Sequence, residues 1–349
     1  MQKWVIVAFV RQITNPPNPY NKYSAEYVGE PPPTKLEIFE ETATKKIITK
    51  AFTSDWEGGW RYTVNCYRGC VHGCTYCFSR PTHEYLGYGA GTDFDRKIIV
   101  KVNAPALLRQ ELMKPSWKGD EIVFSFTSDP YLPLEAHYKL TRQCLQICAE
   151  FQNPVGVITK SAMIRRDIDV LQELSTKASL GVFFTIPFTD VESSKAVEPY
   201  APLPNARFGA MKALADAGIT VGIAIAPVIP GLSTNIPELL KRAKDAGATQ
   251  AFINMLRLPG SVAPYFEETL RAKLPTKADR ILHRIRDARE GKLNSSAFGE
   301  RMRGKGQYWE ATERLFKIHC QRLGFNKKRT HQKPAGSTFR RPTAQASLF

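Results

Sequence analysis

The sequence predicts an α/β protein built on a mainly parallel sheet, and three observations carry that expectation. Short runs rich in Val, Ile and Phe recur along the chain, and segments of helical periodicity separate them. Glycine closes two of those helical segments just before the next run, at Gly218 in D-A-G-I and Gly247 in D-A-G-A. The runs at 61–66, 121–127, 155–159, 180–186, 219–226 and 250–256 are expected as strands buried on both faces, because they are nearly continuous in apolar residues rather than alternating. The segments 104–114, 137–151, 165–176, 204–217 and 235–246 are expected as the intervening helices. Such alternation implies parallel neighbours joined by right-handed crossovers.

Charge divides the chain. The 349 residues carry a formal charge of +16, of which residues 1–270 contribute only +2. Residues 271–349 hold 20 basic and 6 acidic side chains, a net of +14. The first part reads as a near-neutral body; the second is either a solvated surface or a polyanion-binding face. An apolar fraction of 43% is enough for a sizeable core and excludes a disordered chain. No apolar run approaches the roughly 20 residues of a membrane span, and the run 4–10 is too short for a secretory signal, so a cytoplasmic protein with no membrane partner is expected.

Four of the seven cysteines, Cys66, Cys70, Cys74 and Cys77, fall within twelve residues. Dense thiols in a long chain without secretory features point to a metal site rather than a disulfide framework. Cys144, Cys148 and Cys320 read as buried small hydrophobes. A structural zinc site needs four thiolates, usually on two C-x2-C knuckles, and the spacings of three, three and two supply no second knuckle. An iron–sulfur cluster is the competing reading.

Cys70-x3-Cys74-x2-Cys77, with Tyr76 just before the third cysteine, resembles the signature of the radical S-adenosylmethionine (radical SAM) superfamily. The longer run N-C-Y-R-G-C-V-H-G-C-T-Y-C-F-S-R-P-T-H-E-Y is similar to a segment of its spore-photoproduct-lyase-like group, often called "DNA repair photolyase". The similarity continues through 126–135, 158–162, 226–232, 255–259 and 298–306.

The resemblance implies a partial (β/α)6 TIM barrel over residues 61–275, an N-terminal extension over 1–60 and a basic helical C-terminal extension over 276–325. It also implies a 4Fe–4S cluster held by Cys70, Cys74 and Cys77, whose fourth iron takes the amino and carboxyl groups of SAM. Reductive cleavage would then yield methionine and a 5′-deoxyadenosyl radical that abstracts hydrogen from a substrate, with an electron donor such as flavodoxin or ferredoxin as partner.

In barrels of this kind the site lies at the C-terminal strand ends. That nominates Thr127, Ser128 and Asp129, then Lys160 and Ser161, then Thr185, and finally Arg257 as cofactor-binding residues. Lys160 would meet the SAM carboxylate, Ser128 or Asp129 its ammonium or ribose, and the Tyr76 backbone its adenine. Two departures stand out. Cys66 occupies a position where the group usually has Pro, and reads as a bystander or as a redox or hydrogen-atom donor. Phe126 stands where the lyase has a cysteine that returns a hydrogen atom, so repair of spore-type thymine lesions would need Cys66 or a tyrosine such as Tyr76 as substitute.

Residues 326–349 read as a disordered basic tail. Gln345–Phe349 at its end resembles a bacterial sliding-clamp-binding peptide, with Ala346 in place of the usual Leu. Arg280, Arg284 and Arg303 with Tyr308 and Trp309 give the extension the mixture of cations and aromatics found on DNA- or RNA-binding surfaces, or on a basic helix packed against the body. The function expected is a radical SAM enzyme acting on a nucleic acid. The alternatives are a non-catalytic zinc- or cluster-stabilised nucleic-acid-binding protein, and a radical SAM enzyme that modifies a protein, peptide or tRNA.

Overall fold

The structure, a computed structural model, describes residues 15–16, 18–20, 35–50, 61–297, 299–327 and 337–342. Its strands are β1 (Glu37–Glu41), β2 (Ile48–Lys50), β3 (Tyr62–Val64), β4 (Tyr67–Arg68), β5 (Lys97–Lys101), β6 (Ile122–Phe124), β7 (Val155–Thr159), β8 (Leu180–Thr185), β9 (Val221–Val228) and β10 (Gln250–Met255). Its helices are α1 (Thr92–Arg96), α2 (Ala104–Met113), α3 (Glu135–Tyr138), α4 (Leu140–Glu150), α5 (Ile168–Lys177), α6 (Val191–Val197), α7 (Pro204–Asp216), α8 (Ile236–Asp245), α9 (Val262–Lys273), α10 (Pro275–Asp287) and α11 (Gly306–Leu323).

The main sheet is open and has the order β10-β9-β8-β7-β6-β3-β2. From β3 to β10 the six strands are parallel, each beside its sequence neighbour in the sheet, and β2 adds an antiparallel edge. The sequence reason is the one read above: Val155, Val157, Val182, Phe184, Val221 and Ile223 are buried on one face of the sheet, and Val123, Phe183 and Ala224 on the other. Helices α4, α5, α7 and α8 cover the first face, with Leu145, Leu171, Leu174, Leu214, Leu239 and Leu240 buried. Cys144 and Cys148 are buried on α4 in the same core.

β1 pairs in parallel with β5, and β2 pairs with β3, so residues 37–50 are woven into the body. At the other end α11 packs on α8 and on the edge strand β10, and Asn326 completes the cover. Its Nδ2 donates to Ala251 O at 2.8 Å and its Oδ1 accepts from Ala251 N at 2.9 Å. This protects a sheet edge that would otherwise present unpaired backbone groups.

The tail departs further from expectation. Within the stretch read as disordered, 337–342 lies against the loops that precede β6 and β7. Phe339 is buried and stacks on Phe151 at 6.2 Å between ring centroids. Arg340 N donates to Phe151 O at 2.9 Å, and Arg341 Nη2 donates to Lys114 O and Trp117 O at 2.7 and 2.8 Å. One aromatic in a polar stretch has no periodicity to reveal it, yet its ring is enough to anchor a short segment. Gln345–Phe349 lies outside the described residues.

Burying a phenylalanine side chain stabilises by about 2 kcal/mol. Phe339→Ala should therefore release this segment while leaving the body folded, and hydrogen exchange at the Arg340 amide should accelerate roughly thirtyfold. Unchanged protection at that amide would contradict the anchoring role.

Candidate functional site

Residues 69–80 form a loop between β4 and the first turn after it, and its conformation is set by glycines and by one buried arginine. Gly69 and Gly73 have φ of +82° and +66°. A Cβ on Gly73 would lie 2.7 Å from the Tyr200 ring, and one on Gly69 would lie 2.9 Å from Phe94 O. The Arg80 guanidinium, fully buried, donates to Cys74 O at 2.9 Å, to Ala90 O at 3.0 Å and to Gly91 O at 2.8 Å. Its Nη2 forks onto Asp95 at 2.9 and 3.2 Å, and the cation lies 4.5 Å from the Tyr265 ring centroid. Burial pushes the Asp95 carboxyl up to about 6 even against the pull of Arg80. Thr75 N to Val197 O at 2.9 Å and Tyr200 N to His72 O at 3.2 Å tie the loop to the end of α6.

So held, Cys70, Cys74 and Cys77 face a cavity of about 170 Å³. The cavity also takes in the C-terminal ends of the parallel strands: Thr127, Ser128 and Asp129 after β6, Lys160 after β7, Thr185 on β8, Pro227 on β9 and Arg257 after β10. Tyr76, Phe78 and Phe126 complete much of the wall. Burial raises the Cys74 thiol to about 12 and pushes Cys70 above its usual range.

A buried ionic network underlies the cavity. Glu198 accepts from the Tyr76 hydroxyl and the Arg207 guanidinium, and lies 3.9 Å from Lys160 Nζ. Arg207, fully buried on α7, also donates to Thr185 O at 2.8 Å and Pro202 O at 2.6 Å. Burial alone would raise the Glu198 carboxyl, but Arg207 and Lys160 outweigh it and hold it below the usual range. Burial likewise works to lower the Lys160 ammonium, while Cys74 and Glu198 hold it above its usual range. The fixed positive charge of Lys160 at a cavity wall is suited to a carboxylate ligand.

Asp129 is turned inward to the protein. Its Oδ1 accepts from Thr159 Oγ1 at 2.7 Å and Tyr131 N at 2.9 Å, and its Oδ2 from Lys160 N at 2.8 Å, with His72 Nδ1 at 3.6 Å. It therefore locks the end of β7 to the loop after β6 rather than presenting open oxygens to a ligand. Ser128 Oγ donates to Gly69 O at 2.6 Å, joining that loop to the cysteine loop, and Asn65 Oδ1 accepts from Thr127 N at 3.0 Å.

Two nominated residues are not in the cavity wall. Ser161 starts the short helix Ala162–Asp167 by accepting from Met163 N at 3.2 Å, so its hydroxyl serves as a cap. Cys66 points away from the other three thiols and lies 3.8 Å from Cys144, sulfur to sulfur, in the core. Cys66 sits in the bend between β3 and β4, and the spacing of the four cysteines does not reveal where that bend directs its side chain. The residues missed by sequence reasoning are Arg80, Glu198 and Arg207. Arg207 left one trace, a cation in the otherwise apolar helix stretch A-R-F-G-A-M.

No known protein-family profile matches the chain. An uncharacterized protein of Mycobacterium tuberculosis is 38% identical over 210 residues, which is 59% of this chain and 62% of that protein. The chain thus spans less than two thirds of the length of this mycobacterial relative. An uncharacterized protein of Methanocaldococcus jannaschii is 31% identical over 199 residues, 57% of this chain and 70% of that protein. The chain belongs to the family of this archaeal protein. Among solved structures, spore photoproduct lyase with bound AdoMet and dinucleoside spore photoproduct superposes with a TM-score of 0.55 at 16% identity, over 83% of this chain and 80% of the lyase. The family member described here therefore has the spore photoproduct lyase fold.

Truncating one partner of a buried ion pair costs about 3–5 kcal/mol. Arg207→Ala should destabilise by that order in denaturant titration, because Glu198 is left buried and uncompensated. The pH dependence has a definite sign. The folded Glu198 value lies below its ordinary 4.5, so the unfolded chain binds this proton more readily. Its contribution is complete above that range and is lost as pH falls through the depressed value. Glu198→Gln should flatten that part of the acid-stability curve; an unaltered curve would show that the pair contributes nothing.

Proposed function

We propose that this protein is a radical SAM enzyme whose Cys70, Cys74 and Cys77 hold a 4Fe–4S cluster, on a sheet that corresponds to the partial (β/α)6 barrel of that superfamily. The observation that carries the reading is the convergence of three thiols, and three only, on a cavity at the C-terminal ends of the parallel strands. The donor set fits such a group. Its three thiols line one cavity wall together with Lys160, which is the donor set a three-thiolate cluster with a carboxylate-bearing ligand would use. The direction of Cys66 towards Cys144 counts against the four-thiolate zinc alternative.

When bound, the cluster and SAM supply a one-electron reductive cleavage whose product removes hydrogen from the substrate. The chain's own residues do the rest. Arg80 fixes the peptide that carries Cys74 and Cys77, and Lys160 offers its ammonium to the carboxylate of SAM. Glu198 and Arg207 hold Lys160 and the Tyr76 ring in place, and Phe78, Phe126 and Met302 exclude water. Thr185, Ser128 and Arg257 border the same space. No thiol occupies position 126. Phe126 lines the cavity with φ at +91°, a strained value for a residue other than glycine, so the chain departs here from return of hydrogen by cysteine. A nucleic acid is the substrate class this reading favours, given the +14 carried by residues 271–349.

The test is anaerobic reconstitution with iron and sulfide, followed by SAM and dithionite. The protein should bind about four irons per chain and release 5′-deoxyadenosine. Cys74→Ala should lose both, and Cys66→Ala should keep both. Stoichiometric zinc with no SAM cleavage would overturn the reading, as would loss of iron in Cys66→Ala but not in Cys74→Ala.

A further inference from the structure

Polar side chains on the cavity wall fall into two sets. Asp129 and Ser128 spend their oxygens on Thr159, Tyr131, Lys160 and Gly69, as described above. The hydroxyls of Thr127 and Thr185 and the carboxamide of Asn254 line the same cavity and, among the described residues, have no hydrogen-bond partner. Asn254 differs from the two hydroxyls in chemistry and in surroundings.

Asn254 is half-buried and is the last residue but one of β10. Opposite it, β9 carries one residue too many. Ile253 pairs with Ile225 and Met255 with Val228, so Ala226 and Pro227 together face the single position of Asn254. Such a bulge interrupts the ladder and re-aims the side chains around it, and Pro227 has no N–H to offer the ladder. The wall around Asn254 is otherwise apolar, with Phe252, Met255, Leu256 and Met302 beside Pro227. Phe252 is held from behind: its ring centroid lies 5.2 Å from that of Phe183. Phe183 in turn sits so close to Gly222 that a Cβ there would come within 2.5 Å of its ring.

A carboxamide in an apolar wall discriminates between ligands. A ligand that displaces its water without pairing it leaves a donor and an acceptor unsatisfied, a cost that a matching ligand avoids. The group presents one donor and one acceptor side by side, and it reads either order because the amide can turn over. Beside the flat ring of Phe252, the matching shape is a planar nitrogen heterocycle with a donor next to an acceptor. Each nucleobase has such an edge, and asparagine meets that of adenine with two hydrogen bonds.

We propose that Asn254 reads the hydrogen-bonding edge of a nucleobase in this cavity, with Phe252 as the apolar surface beside it. Two sources carry that chemistry, the adenine of SAM and a base of the substrate. β7 and β10 are three inter-strand steps apart, about 14 Å on a flat sheet. A ligand whose carboxylate meets Lys160 brings a base to Asn254 by spanning the cavity, and a separate base reaches it without spanning. The inference rests on the radical SAM reading of this cavity and adds to it a residue that belongs to neither the cysteine loop nor the ionic network.

The test uses the anaerobically reconstituted full chain. SAM binding is measured by equilibrium dialysis, and binding of thymidine, cytidine, adenosine and guanosine to the SAM-loaded chain by saturation-transfer NMR. Loss of a two-bond edge contact weakens binding by roughly 5- to 150-fold. Asn254→Leu, close to asparagine in size, should therefore weaken one ligand roughly tenfold or more. That ligand is SAM if its adenine is the source, and the preferred nucleoside if a substrate base is. Asn254→Asp, which keeps the shape but loses the donor, should weaken the same ligand. Because the Asn254 carboxamide bonds nothing in the protein, Asn254→Leu should leave the unfolding midpoint in denaturant unchanged.

Unchanged affinity for SAM and for every nucleoside in Asn254→Leu would overturn the proposal, as would a wild-type chain that binds none of them. So would an Asp variant that binds as well as wild type, because the donor would then play no part. A lowered unfolding midpoint in Asn254→Leu would mark a structural role and overturn it too. Iron content separates this failure from that of the underlying reading: a wild-type chain that holds no cluster removes the radical chemistry, while nucleoside binding to the same chain still reports on Asn254.

Discussion

The burial of one guanidinium, that of Arg80, is the constraint on which the site depends. A charge taken out of water is tolerated only when every donor finds an acceptor and a counter-charge lies close. Arg80 meets that demand by gathering Cys74 O, Ala90 O, Gly91 O and the Asp95 carboxylate around itself. The acceptors come from three separate stretches of chain, so satisfying the charge also folds the cysteine loop. Gly69 and Gly73 then supply the positive φ values that a loop this tight needs. The same solution recurs beneath the cavity, where Arg207 gathers Thr185 O, Pro202 O and Glu198. Two buried arginines thus fix the loop and the floor of one cavity.

That arrangement separates positioning from contact. Asp129 and Ser128, at strand ends where ligands usually bind, spend their oxygens on Thr159, Lys160, Tyr131 and Gly69. They hold successive strand ends together, and so present Lys160 and the thiols. In a site proposed to contain a reactive radical, rigid walls and exclusion of water are what the protein itself contributes.

Much of the framework was legible in the sequence, because buried parallel strands have a plain signature. The run at 155–159 coincides with β7, four other runs each contain one of the parallel strands, and 219–226 overlaps β9, which continues to Val228. The three thiols facing the cavity were legible too, through their spacing. What escaped was set by tertiary context. Glu198 and Arg207 are nine residues apart with unremarkable neighbours, and only the turn of the chain between the end of α6 and the start of α7 makes them a pair. β1 was missed because Glu37–Glu41 is mostly exposed and charged, β2 because it has three residues, and β5 because Lys97–Lys101 holds an apolar run of only three. Phe339 was missed for the opposite reason, a single apolar residue in a basic stretch. Cys66, read as a bystander or as a redox or hydrogen-atom donor, lies beside Cys144 in the core.

The central claim is that three thiolates hold a cluster with one iron left open to SAM, and electron paramagnetic resonance of the reduced protein addresses it most directly. Anaerobically reconstituted wild-type chain treated with dithionite should show the signal of a reduced 4Fe–4S cluster, and adding SAM should change that signal because the ligands of the open iron change. A cluster signal that does not respond to SAM, or no signal in a protein that has bound its iron, would contradict the account.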